Sequence, residues 1–457
     1  MSDAVVFLEA ARERHLAELC ELLAIPSISA LERHSDDIRA AATYLAQRLE
    51  AIGLEHVDLV ETGGNPIVYG DWLHAGEAVP TVLLYGHYDV QPADPTARWE
   101  TPPFEPTIRD GRIYARGASD NKGPMYVNVA ALDALLSTDG TLPVNLRFVA
   151  EGEEELRADM LDAFLRTDER MRDVDVAVIA DSAQYADGVP GIPIGLRGMA
   201  AVEFTVRTGP QDLHSGTYGG VAANALHVLS ELLATLHAPD GSVAVRGFYG
   251  PVRGPSSEEL ASWRDLRFDD APLGEARAGE AGFSPLERLW SRPTLDVHGI
   301  WGGFAGQGVK TVIPCEAHAK LSCRLVPDQL PEQVLEQVVA HLREHTPEGV
   351  ELTVDMTLPG CGPYVARADH PAVRAARAAL EQTYERPAVV FRTGWSVPIT
   401  ELLQRHLSVD SLLLGFAHPD EAHHAPNEFM RLSAFDLGTR TMVLFWPRLA
   451  EELAAGG

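Results

Sequence analysis

Four short apolar runs in this sequence each end in residues that bind metals or move protons. Val82 to Tyr85 runs into His87 and Asp89, Leu146 to Ala150 into Glu151 through Glu155, and Val176 to Ala180 into Asp181. Leu412 to Leu414 leads toward His418 through His424. With Asp120, in the tight-turn stretch Gly117-Ala118-Ser119-Asp120-Asn121-Lys122-Gly123, they supply five ligand candidates: His87, Asp120, Glu155, Asp181 and His424. Imidazole and carboxylate are the donors that hold divalent zinc, manganese or cobalt. One bridging carboxylate, plus one histidine and one further carboxylate per ion, would hold two ions about 3.5 Å apart in a hydrolytic centre. Asp120, a short side chain at the opening of a helix, is the one that could face both. Adjacent glutamates diverge, so in the run Glu151-Gly152-Glu153-Glu154-Glu155 one carboxylate can bind metal while its neighbour stays free to carry a proton. Asp89, two residues after His87, is spaced to take the proton of the imidazole's other nitrogen.

Such residues need elements that bring them to one place. Continuous apolar runs between helical patterns read as buried parallel strands, and in open α/β sheets the ligand site lies beyond the carboxyl ends of those strands. Helical periodicity covers Asp3 to Leu23, Asp36 to Ile52, Lys122 to Leu136, Met160 to Arg166, Ala222 to Leu236, Pro331 to His345 and His370 to Tyr384. Val202 to Arg207 and Ala317 to Leu325 alternate like half-buried strands, and Gly241 to Pro293 reads as an irregular insertion with short helices. The change from buried runs to alternating ones predicts a domain inserted between about Leu196 and Leu358.

At 457 residues the chain is long enough for two or three domains. Its 46% hydrophobic and 23% charged residues are ordinary for a globular protein. Lys plus Arg number 37 against 66 Asp plus Glu, a net charge of −29, which disfavours binding to nucleic acid or to an anionic membrane. Four cysteines without CxxC spacing, Cys20, Cys315, Cys323 and Cys361, read as buried thiols of a reducing compartment. The first fifteen residues show no apolar signal-peptide core, and no run approaches the roughly 20 apolar residues of a membrane span. The expected location is cytoplasmic. The glycines of Gly302 to Thr311 do not form a phosphate loop, because the lysine does not directly follow a glycine and no helix pattern comes after. Among the alternating residues Arg324 can serve as a surface ion pair or as a clamp on a substrate carboxylate.

Taken together, these motifs resemble the M20 family of metallopeptidases, in the dipeptidase branch that contains carnosinase and cytosolic non-specific dipeptidase. The resemblance rests on Gly86 to Pro92, Trp99 to Pro106, Gly117 to Gly123, Glu151 to Glu155, Asp212 to Gly220, Lys310 to Pro314, Arg324 to Pro327 and His424 to Glu428, in that order along nearly the whole chain. It implies an α/β catalytic domain, residues 1–195 and 359–457, with a central mostly parallel sheet flanked by helices. Residues 196–358 would form an inserted α+β lid and dimerisation domain. His87, Asp120, Glu155, Asp181 and His424 would hold two divalent ions, zinc foremost with manganese or cobalt as alternatives, with Asp120 bridging the two ions and its peptide bond to Asn121 cis. Glu154 would be the general base and Asp89 the orienter of His87. His214 and Thr311 would reach the substrate from the second subunit of a homodimer, while Arg324 and Ser396 bind its C-terminal carboxylate.

Three consecutive glutamates leave the register of base and ligand open by one residue, and His423 competes with His424. Trp395 stands where a glycine is usual, beside the carboxylate pocket. The implied reaction is amide hydrolysis of a dipeptide or other small peptide. Removal of an N-acyl group, carboxypeptidase action, a non-catalytic peptide-binding role and a two-metal phosphoesterase are the competing readings. The last two are weakened by the complete ligand set and by the absence of a basic phosphate clamp.

Overall fold

The computed structural model describes residues 2–156, 159–270, 273–275 and 278–456. The chain divides into two compact units. The first is Met1–Ile194, Ala366–Phe391 and Ile399–Gly457; the second is Gly195–Val365 with Arg392–Pro398.

The first unit is built on a six-stranded sheet in the order Glu55–Val60, Ile67–Trp72, Asn145–Glu151, Thr81–His87, Val176–Ile179, Asp410–Leu413. The last three pairings are parallel and the first two antiparallel, so the sheet is mixed with a parallel half. All four apolar runs lie in that half. Register aligns their ends, with His87 opposite Glu151 and Tyr85 opposite Ile179, so the polar residues that follow emerge at one edge. Helices Asp3–Leu23, Ser35–Ala51, Lys122–Asp139, Pro371–Tyr384 and Leu432–Gly456 contribute to its core. Lys122–Asp139 is buried along nearly all its length and stops at Gly140, whose φ of 68° gives the left-handed turn that glycine adopts without steric cost. A three-stranded ribbon sets Phe429–Arg431 antiparallel to Arg112–Tyr114, which draws the His424 to Glu428 loop against Gly117 to Asp120.

The second unit is an antiparallel sheet, ordered Thr294–Gly302, Glu316–Leu325, Gly198–Arg207, Glu351–Cys361, with helices Ala225–Ala234 and Pro331–His345 in its core. Strict burial alternation along Gly198–Arg207 and Glu316–Leu325 matches the alternation in their sequences. The helix expected from Ala222 begins at Ala225, because the Asn224 side chain accepts the Leu226 N–H at 2.9 Å and caps it. Arg392–Pro398 joins this unit through a two-pronged Arg392–Glu259 ion pair at 2.7 and 2.9 Å. Among the described residues no helix is long and apolar enough to cross a membrane. Of the cysteines, Cys323 and Cys361 are buried whereas Cys20 and Cys315 are partly exposed, and no disulfide joins them.

Candidate metal centre

Each histidine and carboxylate of the first unit's site is set by a nearby element. His87 ends its strand with no exposure, its Nε2 3.3 Å from Asp120 Oδ1 and 4.0 Å from Asp181 Oδ2. Its Nδ1 faces Asp89, 3.1 Å from the backbone oxygen and 3.3 Å from the carboxylate. With Nδ1 turned to Asp89, Nε2 is the nitrogen on the side of Asp120 and Asp181, and it would ligate once its proton is lost. Asp89 also accepts the Glu155 N–H at 3.2 Å, tying two strand ends together.

Asp120 lies between the two histidines. Its Oδ2 is 3.0 Å from His424 Nε2 while its Oδ1 faces His87, and its peptide bond to Asn121 is cis. Asn121 accepts the His87 N–H at 3.2 Å and donates to Ala180 O at 3.2 Å, joining the turn to two strand ends. Two groups of three ligand atoms therefore share Asp120: His87, Asp120 and Asp181, and Asp120, Glu155 and His424.

The acidic run disperses. Glu151 accepts the Tyr85 hydroxyl, and Glu153 Oε1 accepts the Asn65 N–H at 3.0 Å. Glu155 has Oε2 held by Gln91 Nε2 at 2.9 Å and Oε1 3.3 Å from His424. Glu154 belongs to neither ligand group. The histidine pair diverges as well: His423 Nε2 is 2.9 Å from Ser119 Oγ, whereas His424, at φ 58°, turns its ring to Asp120 and Glu155.

Burial and mutual repulsion dominate the electrostatics. Burial, with Asp181, Glu155 and Asp120 adding repulsion against the pull of His87, holds the Glu154 carboxyl well above its usual range. Burial likewise lifts Asp181 to about 6 and Glu151 to about 8. Asp120 goes down, its burial outweighed by His424 and His87. Contact with Asp120 and Glu155 raises His424 to about 10. His87 is raised despite burial, because Asp120, Asp89 and Asp181 surround it. Carboxylates pushed up and imidazoles held charged mark a site short of positive charge. His87 Nε2 and Glu155 Oε1 are in addition buried without a hydrogen-bond partner. Divalent cations supply both the charge and the missing partner, so this donor set fits them.

Glu428 and Gln91 stand out from the geometry alone. Glu428, with no exposure, accepts Arg116 Nη1 at 2.6 Å and the N–H groups of Gly117, Ser119 and Asp120 at 3.1, 2.9 and 3.1 Å. It is the clamp on the Asp120 turn. Both residues lie inside motifs quoted above, the only signal they carry in the sequence.

The other four site candidates lie in the second unit, in two pairs. His214 and Thr311 share a two-stranded ribbon, where Leu213–His214 pairs with Val312–Ile313 and Ser215 N donates to Thr311 O at 3.0 Å. His214 Nδ1 accepts the Gly216 N–H at 3.0 Å, which leaves Nε2 as a donor. Arg324 Nη1 donates to Ser396 Oγ at 2.9 Å, and that hydroxyl donates to Arg197 O at 2.6 Å.

The pattern of peptidase family M20/M25/M40 matches residues 83–448. The chain is 32% identical over 381 residues to human Beta-Ala-His dipeptidase, covering 81% of this chain and 75% of that protein. A dipeptidase structure from Saccharomyces cerevisiae superposes with a TM-score of 0.82 at 26% identity over 98% of both chains. An M20 family metallo-carboxypeptidase from Sulfolobus solfataricus superposes with a TM-score of 0.84 at 30% identity, over 96% of this chain and 99% of that one.

Proposed function

The chain belongs to peptidase family M20/M25/M40, and from that premise we propose that this metallopeptidase hydrolyses the amide bond of dipeptides and other small peptides. The observation that carries the proposal is Asp120 standing between two histidine–carboxylate groups, with Glu154 in neither of them yet within the electrostatic influence of His87, Asp181, Glu155 and Asp120. His87, Asp120 and Asp181 would hold one divalent cation, and Asp120, Glu155 and His424 the other, with zinc favoured by the borderline donor set and manganese or cobalt compatible with it. Such a pair supplies Lewis-acid polarisation of the scissile carbonyl and a lowered water pKa.

The chain's own groups do the rest. Glu154 takes the proton of the attacking water and later gives it to the leaving amine, a task suited to a carboxyl that burial holds above its usual range. Asp89 holds the His87 ring so that Nε2 stays a ligand. His214 Nε2, with Thr311, donates to the carbonyl oxygen as it gains charge, and Arg324 with Ser396 receives the substrate's carboxylate.

We assign residues 196–358 the role of lid and dimerisation domain, His214 and Thr311 serving a second copy in a homodimer. Support comes from apolar side chains left open to solvent in the second unit, Val221 at 86%, Ile300 at 56% and Val309 at 93% exposure. We infer a cytoplasmic location, in which Cys20, Cys315, Cys323 and Cys361 would stay as free thiols.

A second reading, release of the C-terminal residue from longer peptides, is favoured by likeness to the Sulfolobus metallo-carboxypeptidase. Glu154→Gln tests the central role. Turnover should fall by about 10²-fold or more with two metals still bound per chain, and retained turnover would remove Glu154 as the base.

A further inference from the structure

Arg147 sits in the strand Asn145–Glu151, opposite Asp71 on one neighbour and Leu83 on the other. It is only 9% exposed, and its Nε and Nη1 are buried without a hydrogen-bond partner. The acids within its reach are already engaged. Asp71 receives His56 Nδ1 and the Tyr69 hydroxyl, both at 2.8 Å, and Asp168 is gripped by Arg170 at 2.7 and 3.0 Å. A guanidinium cannot shed its proton, so burying it unpaired is costly. Its Nη2, which is neither enclosed nor hydrogen-bonded among the described residues, is the nitrogen that a partner from outside the chain can reach.

Arg147 opens into a groove of about 620 Å³ at the amino-terminal edge of the sheet. Asn145 forms its wall and is saturated, donating to Gly76 O and Val79 O at 2.9 and 2.8 Å and accepting Ala75 N at 3.1 Å. Asp175 is occupied by the Thr81 N–H at 2.8 Å. Glu77 and Asp173 also line the groove, and neither forms an ion pair or side-chain hydrogen bond among the described residues. Thr81 and His87 end the same strand on opposite sides, which at about 3.3 Å per residue puts this groove about 20 Å from the metal ligands.

We propose that this groove binds a small zwitterion of the amino-acid type, its carboxylate on Arg147 and its ammonium facing Glu77 and Asp173. Unengaged groups of both signs match a ligand of both signs. A phosphate dianion would meet the carboxylates of Glu77, Asp173 and Asp175 on a chain of net charge −29, and the groove's second arginine, Arg172, is paired with Glu169 at 3.2 Å.

The test is calorimetric titration of the metal-loaded full chain with alanine, acetate, methylammonium and inorganic phosphate, in the wild type and in Arg147→Met, Glu77→Gln and Asp173→Asn. Arg147→Met should abolish one class of alanine site or weaken it about 10- to 100-fold. Glu77→Gln and Asp173→Asn should weaken alanine without weakening acetate, which loses a like-charged neighbour. Identical alanine titrations in wild type and Arg147→Met would overturn the proposal, as would acetate or phosphate binding there as tightly as alanine. Should Arg147→Met fail to fold, the exposed Glu77 decides: an alanine affinity unchanged in Glu77→Gln and Asp173→Asn also overturns it.

Discussion

Replacing Glu428 by Gln removes one charge and two acceptor positions from a carboxylate with no solvent to turn to. Oε1 takes Ser119 N and Asp120 N, and Oε2 takes Arg116 Nη1 and Gly117 N. An amide keeps one oxygen and presents an NH2 group to the other two donors, so two hydrogen bonds are lost whichever way it is turned. Bonds to a charged acceptor contribute about 1.5–3 kcal/mol each, which gives a loss of about 3 kcal/mol or more. That loss is divided between folding and the ordering of the turn that carries Asp120. If it fell wholly on the metal-bound state, divalent cation affinity would weaken about 100-fold. Urea unfolding of the metal-free protein and competition titration of zinc against a chromophoric chelator read the two parts separately. A variant within about 0.5 kcal/mol of wild type in stability, with zinc affinity within about threefold, would refute the clamp.

Two further outcomes follow from the charges. Asp133 is buried, yet His15 at 2.8 Å and Arg14 at 2.6 Å pull its carboxyl down to about 2. Because the folded value lies below the unfolded one, its contribution is present above about pH 4 and lost as pH falls through the folded value. Asp133→Asn should cost about 1–2 kcal/mol at pH 7, after discount for the solvent exposure of its partner Arg14, and the gap in urea midpoints should narrow below pH 4; a gap unchanged down to pH 3 would contradict it. The second outcome concerns protons. His87 and His424 are both held charged without a cation, His424 up to about 10, and an imidazole must be neutral to ligate. Zinc binding at pH 7 should release more than one proton per chain and tighten as pH rises, as calorimetry in buffers of different ionisation enthalpy would show; no release would contradict the ligand assignment.

What could be read in the sequence followed from how local the physics is. Helices Asp3–Leu23 and Pro331–His345 were legible to the residue, the second because a proline within a helical pattern is tolerated in the first turn and not in the interior. The apolar strands were legible because burial on both faces leaves an unbroken hydrophobic run. Glu55–Val60 was not, as an edge strand exposed along most of its length with no alternation to see. Glu351–Cys361 alternates from Glu351 to Leu358 and could have been read as a strand, although as an edge strand it is exposed along most of its length. The helix Leu432–Gly456 carries Pro447 inside it, a residue that normally argues against a helix there. At the site, residues at strand ends and in the Asp120 turn announced themselves by type and position. The fastening of Glu428 to a turn more than 300 residues earlier, and of Gln91 to Glu155, is tertiary, and no spacing encodes it.

The most direct test of the central claim is release of free amino acids from dipeptides, tripeptides and N-acetyl amino acids by chelator-stripped protein with zinc or manganese added back. Hydrolysis of the dipeptides that appears only with metal is the predicted result. No hydrolysis of any substrate with both metals bound, or hydrolysis of the acetylated amino acids alone, would contradict it.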